Sequence, residues 1–396
     1  MFATYRRVLG LPGALVFSLS GLVARFPISM VSLGIVLLVS TRTGSYSLAG
    51  SVSAAYLVAS AVFAVLQARL IDRLGQGTVL PVAVTIFAVG LVATMAAVEL
   101  DAAVPWPHVC AALAGAAQPQ VGSSVRARWS HLVRDKQALH TAFAFEAVVD
   151  ETVFIVGPAL VTVLATTVHP LAGLVTAILA AVLGTTVLVS QRSTEPPASR
   201  AHLQLDVRAL QWSVIGPLVG CAFLMGVLLG GAEVATVALS DELGTTSLAG
   251  LMLALWALGS LLSGVVTGAV HLTASNPTRF RWGMLALGVL MLPLPFVDGF
   301  VLLGAFLFLS GFAISPTLIA AFAWIEEIVP SSRLTEGITL FTTGLAGGLA
   351  PGAALVGLVV DAAGASPSYW VTAGAGLLGA AAAFVTAWTS PSGSSR

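Results

Sequence analysis

The chain has 396 residues, of which 57% are hydrophobic and 9% charged, and its formal net charge is zero. A soluble domain carries roughly 25% charged residues, and no soluble fold of this size could hide so much apolar surface, so the solvent for most of the chain is lipid. Zero net charge excludes a general pull toward nucleic acid, and the two cysteines, Cys110 and Cys221, both inside apolar runs, exclude a disulfide framework or a cysteine metal site.

In chain order, apolar runs long enough to cross about 30 Å of hydrocarbon fall near 14–39, 46–68, 79–99, 104–126, 139–166 and 168–190. MFATYRR feeds the first run, which is too long for a signal-peptide core and lacks a small-residue cleavage site, so it reads as a retained span. The polar stretch 191–211 follows. A second set falls near 212–239, 247–271, 282–297, 300–323, 335–361 and 367–389; the ninth run is short, and Pro293 and Pro295 break its end. The predicted fold class is all-α integral membrane, with twelve transmembrane helices in two pseudo-symmetric six-helix halves. The predicted organisation is an N-terminal bundle over 1–190, a cytoplasmic linker over 191–211 and a C-terminal bundle over 212–396.

Charge sets the orientation, because cytoplasmic loops of membrane proteins collect arginine and lysine. With the N-terminus inside, the inner segments hold Arg6, Arg7, Arg69, Arg73, Arg126, Arg128, Arg134, Lys136, Arg192, Arg200, Arg208, Arg279, Arg281, Arg333 and Arg396. That is every one of the 17 basic residues except Arg25 and Arg42. The outer loops are acidic: Glu99, Asp101, Asp241, Glu242, Asp298 and Asp361. An even number of spans puts both termini on the cytoplasmic side of a multi-pass protein of the bacterial plasma (inner) membrane. Richness in Ala, Gly, Val and Arg suits a high-GC bacterial genome.

The halves repeat. Gly44, Ser47, Leu48, Ala49, Gly50, Ala54 and Ser60 recur at an offset of 200 as Gly244, Ser247, Leu248, Ala249, Gly250, Ala254 and Ser260, with Tyr56 opposite Trp256. Gly157-Pro158 has a counterpart in Pro351-Gly352, and Gln118-Pro119 in Ser315-Pro316. Parallel six-helix repeats are one architecture of secondary transporters.

Charges inside spans mark mechanism, because an arginine at the centre of a bilayer costs roughly 2.5–3.5 kcal/mol on insertion scales. Arg25 lies near the middle of the first span, and it either faces a cavity or sits in a fixed ion pair. Glu146, Asp150 and Glu151 lie in the fifth. Glu146 and Asp150 are four apart and share a helix face, and Gly157 lies almost on that face. A network of Glu146, Asp150 and Arg25 is expected, serving either proton coupling or as a permanent brace between two helices. Glu233, in the outer third of the seventh span, either binds substrate and protons or reaches the outer interface.

The loop after the second span, ARLIDRLGQGTVL (68–80), and the span-five sequence FIVGPALVTVLA (154–165) carry a family resemblance. Together with the repeat they resemble the major facilitator superfamily across essentially the whole chain. Asp72, Arg73 and Gly75 match that family's motif A, while Ala68 and Gln76-Gly77 depart from it; Gly157 and Pro158 match its exporter-associated motif C. RARWSHLV (126–133) and span five are also similar to actinobacterial drug and metabolite efflux permeases. The resemblance implies an inner gate of Asp72, Arg73, Gly75, Arg128, Gly157, Pro158 and Glu336, in which Asp72 meets the start of span eleven near Ser332, Thr335 and Glu336. It also implies that spans four and ten line the cavity, so Gln118, Gln120, Ser310, Ser315 and Thr317 join Arg25 as candidate substrate contacts; packing is the alternative for each of the small polar ones. The family's span-four arginine is missing from HVCAALAGAAQPQVG (108–122), which leaves Arg25 as the buried cation.

Three functions are open. A proton-coupled exporter of small amphipathic molecules, working as an antiporter by alternating access, is favoured by the two motifs. An uptake symporter or facilitator for a polar metabolite shares the architecture. A non-transporting scaffold or receptor has no use for charges within spans. No Walker A, HExxH or GxSxG element is present, so neither an ATP-driven pump nor an enzyme is indicated, and no cofactor or metal is implied. The expected partners are a small-molecule substrate, protons and the lipid bilayer, with the protein a monomer that binds no nucleic acid.

Overall fold

The computed structural model describes residues 2–44, 46–198, 210, 212–244, 248–270 and 273–386. Most of the predicted linker 191–211, and with it Arg200, His202 and Arg208, lies outside the described residues, as do Ser247, His271 and Arg396.

The described chain is all helix. α1 (Phe2–Leu9) precedes α2 (Ala14–Thr43), α3 (Tyr46–Leu74), α4 (Gln76–Glu99), α5 (Trp106–Ala116), α6 (Val121–Leu132), α7 (Lys136–Thr167) and α8 (Ala172–Ser190). The second half holds α9 (Trp212–Glu242), α10 (Ala249–Ala269), α11 (Asn276–Met291), α12 (Phe300–Gly311), α13 (Ile314–Ile328), α14 (Leu334–Ala363) and α15 (Ala365–Thr386). Ten helical stretches are long and apolar enough to cross a bilayer, counting Phe300–Ile328 as one. The other two crossings of the twelve are α5 with α6, and α11 with the short turn Leu294–Phe296. At 1.5 Å per residue α11 is only about 24 Å long, which is why a further turn completes it.

The fourth and tenth crossings, expected as continuous helices over 104–126 and 300–323, are each broken in two. Pro119 has no N–H and pushes Gln118 out of the helical region, so α5 stops at Ala116. Pro316 sits in the first turn of α13, where proline is tolerated, after a turn at Phe312–Ala313. The repeat reaches this detail: Gly115 abuts the Tyr56 carbonyl, and Gly311 abuts the Trp256 carbonyl. Likewise α2 packs on α8 and α7 as α9 packs on α15 and α14. Side chains such as Val58, Val62, Val301, Leu358 and Leu378 stand exposed around the bundle, as lipid-facing positions require.

The halves meet mainly at the end that carries the arginine-rich loops, the basic face. One apolar core runs from the basic end of the first half through the second half, from Phe17, Val125 and Phe143 to Phe322 and Phe341. The opposite end of the first half has a separate core around Met30, Ile35, Phe87 and Leu174. Every hydrogen bond between described residues of the two halves lies on the basic side or at mid-depth. They include Thr141 Oγ1 to the Gly268 carbonyl at 2.7 Å and Arg279 Nη2 to His140 Nε2 at 2.5 Å. α1, which the sequence reading did not separate from the first span, straps this seam: Tyr5 on α1 donates to the Val265 carbonyl on α10 at 2.9 Å.

Candidate functional site

A buried ion network joins α2, α6 and α7. Glu146 and Asp150 project from α7 one turn apart, and Arg25 of α2 reaches both. Its Nη2 lies 2.5 Å from Glu146 Oε2 and its Nη1 3.0 Å from Asp150 Oδ1. Arg126 of α6 takes the other Asp150 oxygen at 2.5 Å. Ser18 and Trp129 both donate to Glu146 Oε1, at 2.9 and 2.8 Å. Arg25 is 1% exposed and Glu146 0%, while Asp150 keeps a third of its side chain open. Two cations thus meet two carboxylates, and the charges cancel where an unpaired one would be costly. The α2–α7 approach that allows this is set by Gly157, where a Cβ would overlap Ser29 Oγ, and Ser29 ties back to the Val153 carbonyl at 2.9 Å.

Arg126 corrects the sequence reading on two points. The sequence counts it with the inner segments and points to Arg25 as the buried cation. The helix α6 in fact continues past the fourth run, so Arg126 and Arg128 are helical and 2% and 0% exposed. Arg126 also lies 4.1 Å over the ring of Phe322 on α13, which carries the network to the opposite half. Basic residues at the end of a span look like ordinary inner-loop charges; the unbroken helical spacing of RARWSHL was the one available signal.

Glu151, grouped with this network in the sequence reading, stands outside it. It points across the seam and accepts from Ser260 Oγ of α10 at 3.3 Å, and Ser260 pairs with Ser315 Oγ at 2.9 Å. Glu233 is exposed on α9 and joins neither arginine. Gln118 accepts from the Tyr56 hydroxyl at 2.5 Å, and Gln120 donates its backbone N–H to Gln67 Oε1 at 2.8 Å, both within the break between α5 and α6. Ser310 and Thr317 are fully buried and bond back to the Leu307 and Ala313 carbonyls of their own crossing. Ser315 is buried as well, paired with Ser260, so in this conformation all three are enclosed in the bundle.

At the basic face, Asp72 at the end of α3 accepts from the backbone N–H groups of Thr335 and Glu336, at 3.3 and 2.9 Å, at the start of α14. Glu336 is itself held by Arg69 at 2.7 Å and by Arg333 at 2.8 Å; neither arginine stood out in the sequence. Gly75 turns the chain from α3 to α4 with φ +88°, a conformation that favours glycine. Arg73 is exposed. Arg128 donates to Gln76 Oε1, the Gln191 carbonyl and Thr194 Oγ1 at 2.6, 2.7 and 2.8 Å. Glu195 accepts from the Gly77 N–H at 2.7 Å, so the segment after α8 is tied to the turn that carries Asp72.

A two-half helical bundle with cancelled charges at mid-membrane and a seam packed toward one face has the build of a multi-pass membrane transporter, and its relatives are transporters, not enzymes. The sequence model of the Major Facilitator Superfamily matches residues 17–299, and the chain belongs to that family. No curated protein sequence matches it. Its fold is similar to that of the human organic anion transporter MFSD10 (TETRAN), with a TM-score of 0.71 at 16% identity over 93% of this chain and 98% of that one. It is also similar to a bacterial homologue of the iron transporter ferroportin in an outward-facing state (TM-score 0.71, 15% identity, 94% and 99% covered). A third similar structure is the transporter FucP in the outward conformation (TM-score 0.73, 14% identity, 93% and 98% covered).

Proposed function

We propose that this protein is a proton-driven exporter of small amphipathic molecules that works by alternating access. It would sit in the bacterial plasma membrane as a monomer with both termini cytoplasmic. The observation that supports the reading is an acidic residue of α7, Glu151, placed at the seam between the halves beside the Arg25–Glu146–Asp150 network, with the hydrogen bonds that join the halves gathered on the basic side and at mid-depth. Bundles over 1–190 and 212–396, joined by the linker 191–211, would rock about that level and expose it to one side and then the other. Asp72 on the α14 N-terminus supports a gate on the basic side, because a carboxylate there is held by the helix dipole through contacts that break at modest cost. The Gly157-Pro158 pair and the family's motif C support export over uptake.

Proteoliposomes with an imposed pH gradient test this against a panel that includes fluorescent lipophilic cations. Probe movement opposite to the proton gradient, reduced at least about tenfold in Arg25→Ala, is the expected result. Movement along the gradient identifies an uptake symporter, and transport indifferent to the gradient rejects proton coupling.

A further inference from the structure

We infer that Glu151 is the carboxyl group that exchanges the proton, while the Arg25–Glu146–Asp150–Arg126 network stays ionised as a fixed brace. The inference deepens the proton-coupled reading and rests on it. The first ground is charge matching. Glu146 and Asp150 are each bound by arginine, and two guanidinium groups balance two carboxylates. Among the described residues no cation lies within ion-pair distance of Glu151, whose hydrogen-bond partner there is the Ser260 hydroxyl.

The groups around it supply no other counter-charge. α10 presents Ser260 and Ser263, and α13 presents Ser315; α10 has no titratable residue, and the acids of α13, Glu326 and Glu327, sit at its basic end. α8 has none. Tyr5, Arg6 and Arg7 of α1 lie at the basic face, and Arg25 and Arg126 are already bound to the other acids.

The second ground is position. Of the hydrogen bonds between described residues of the two halves, Glu151–Ser260 lies deepest from the basic face. It is 11 residues beyond His140 on α7, or about 16 Å along the helix. Glu151 therefore stands at the last hydrogen bond that joins the two halves on the way from the basic face. Protonation removes an uncompensated charge from the seam and leaves the hydrogen bond to Ser260. Loss of the proton leaves a bare carboxylate between the halves, which is relieved when they part and water enters. The state of one proton thus biases which face is closed.

A distance measurement needs no substrate. Spin labels at Arg134→Cys and Ser331→Cys, one on each half at the basic face, are placed in a Cys110→Ala, Cys221→Ala chain in nanodiscs and read between about pH 5 and pH 8.5. In the parent chain the short distance gains population as pH falls. Glu151→Gln holds the short distance across the range, and Asp150→Asn keeps the parent's pH response. Ser260→Ala, which leaves Glu151 in place, shifts the ratio toward the long distance roughly two- to tenfold. A Glu151→Gln chain that follows the parent's pH response, or an Asp150→Asn chain that loses it while Glu151→Gln does not, overturns the assignment. A parent chain with no pH response removes the proton-coupled reading itself.

Discussion

Arg25 holds both carboxylates of the network, whereas Arg126 holds one. Removing one member of a buried ion pair leaves a bare charge and typically costs about 3–5 kcal/mol. Arg25→Met is therefore expected to lower the thermal midpoint in detergent by more than Arg126→Met, and the reverse order would mean that the brace does not run through Arg25. Part of this was legible from spacing, since four residues between Glu146 and Asp150 place both on one face. Which cation each would meet was not, because partner choice depends on how α2 and α6 lie against α7. Trp129 and Ser18 could not be read at all: a tryptophan and a serine in apolar surroundings look like packing until Glu146 is set beside them.

Among the elements, α1 is the one whose role only contacts reveal. Eight residues with two arginines read as a flanking segment, yet Val8 is 2% exposed and Tyr5 reaches across to α10. Burial pushes the Tyr5 hydroxyl up to about 12, so it remains a neutral donor at any physiological pH. Tyr5→Phe should speed hydrogen exchange in α1 and around 265–270 by roughly two- to tenfold, the loss of one hydrogen bond; unchanged exchange would show that the strap is held by Val8 alone. The breaks in the fourth and tenth crossings have the opposite history. Pro119 and Pro316 were visible in the sequence as repeat mates, but whether a proline kinks or ends a membrane helix is decided by neighbours that satisfy the freed backbone groups.

Across the whole molecule the repeat preserves geometry and changes chemistry. Where α2 and α7 are joined by ion pairs, α9 and α14 press backbone on backbone: Gly226 and Gly230 face the Leu345 and Leu349 carbonyls, and Gly352 faces the Val227 carbonyl. The α9–α14 contact is thus apolar and close-packed, and the buried ion pairs sit in the first half. Closure of the basic face should respond to Asp72→Asn, which removes a charge from the α14 N-terminus worth about 0.3–1 kcal/mol. Faster thiol labelling of Ala127→Cys, which lines the space beside Asp72, is the expected reading, and an unchanged rate would end the gating role. The chain's own order of residues determined the solvent, the number of crossings, the repeat and the acids of α7, because bilayer thickness and helical spacing are local rules that a linear pattern obeys. The separation of a balanced network from an unbalanced Glu151 was decided only by tertiary structure. Ser60 and Ser260 are repeat mates in sequence, yet one is half-buried and bonds to its own helix while the other is fully buried against the opposite half. Which half-bundle a side chain meets depends on how two folded bodies dock.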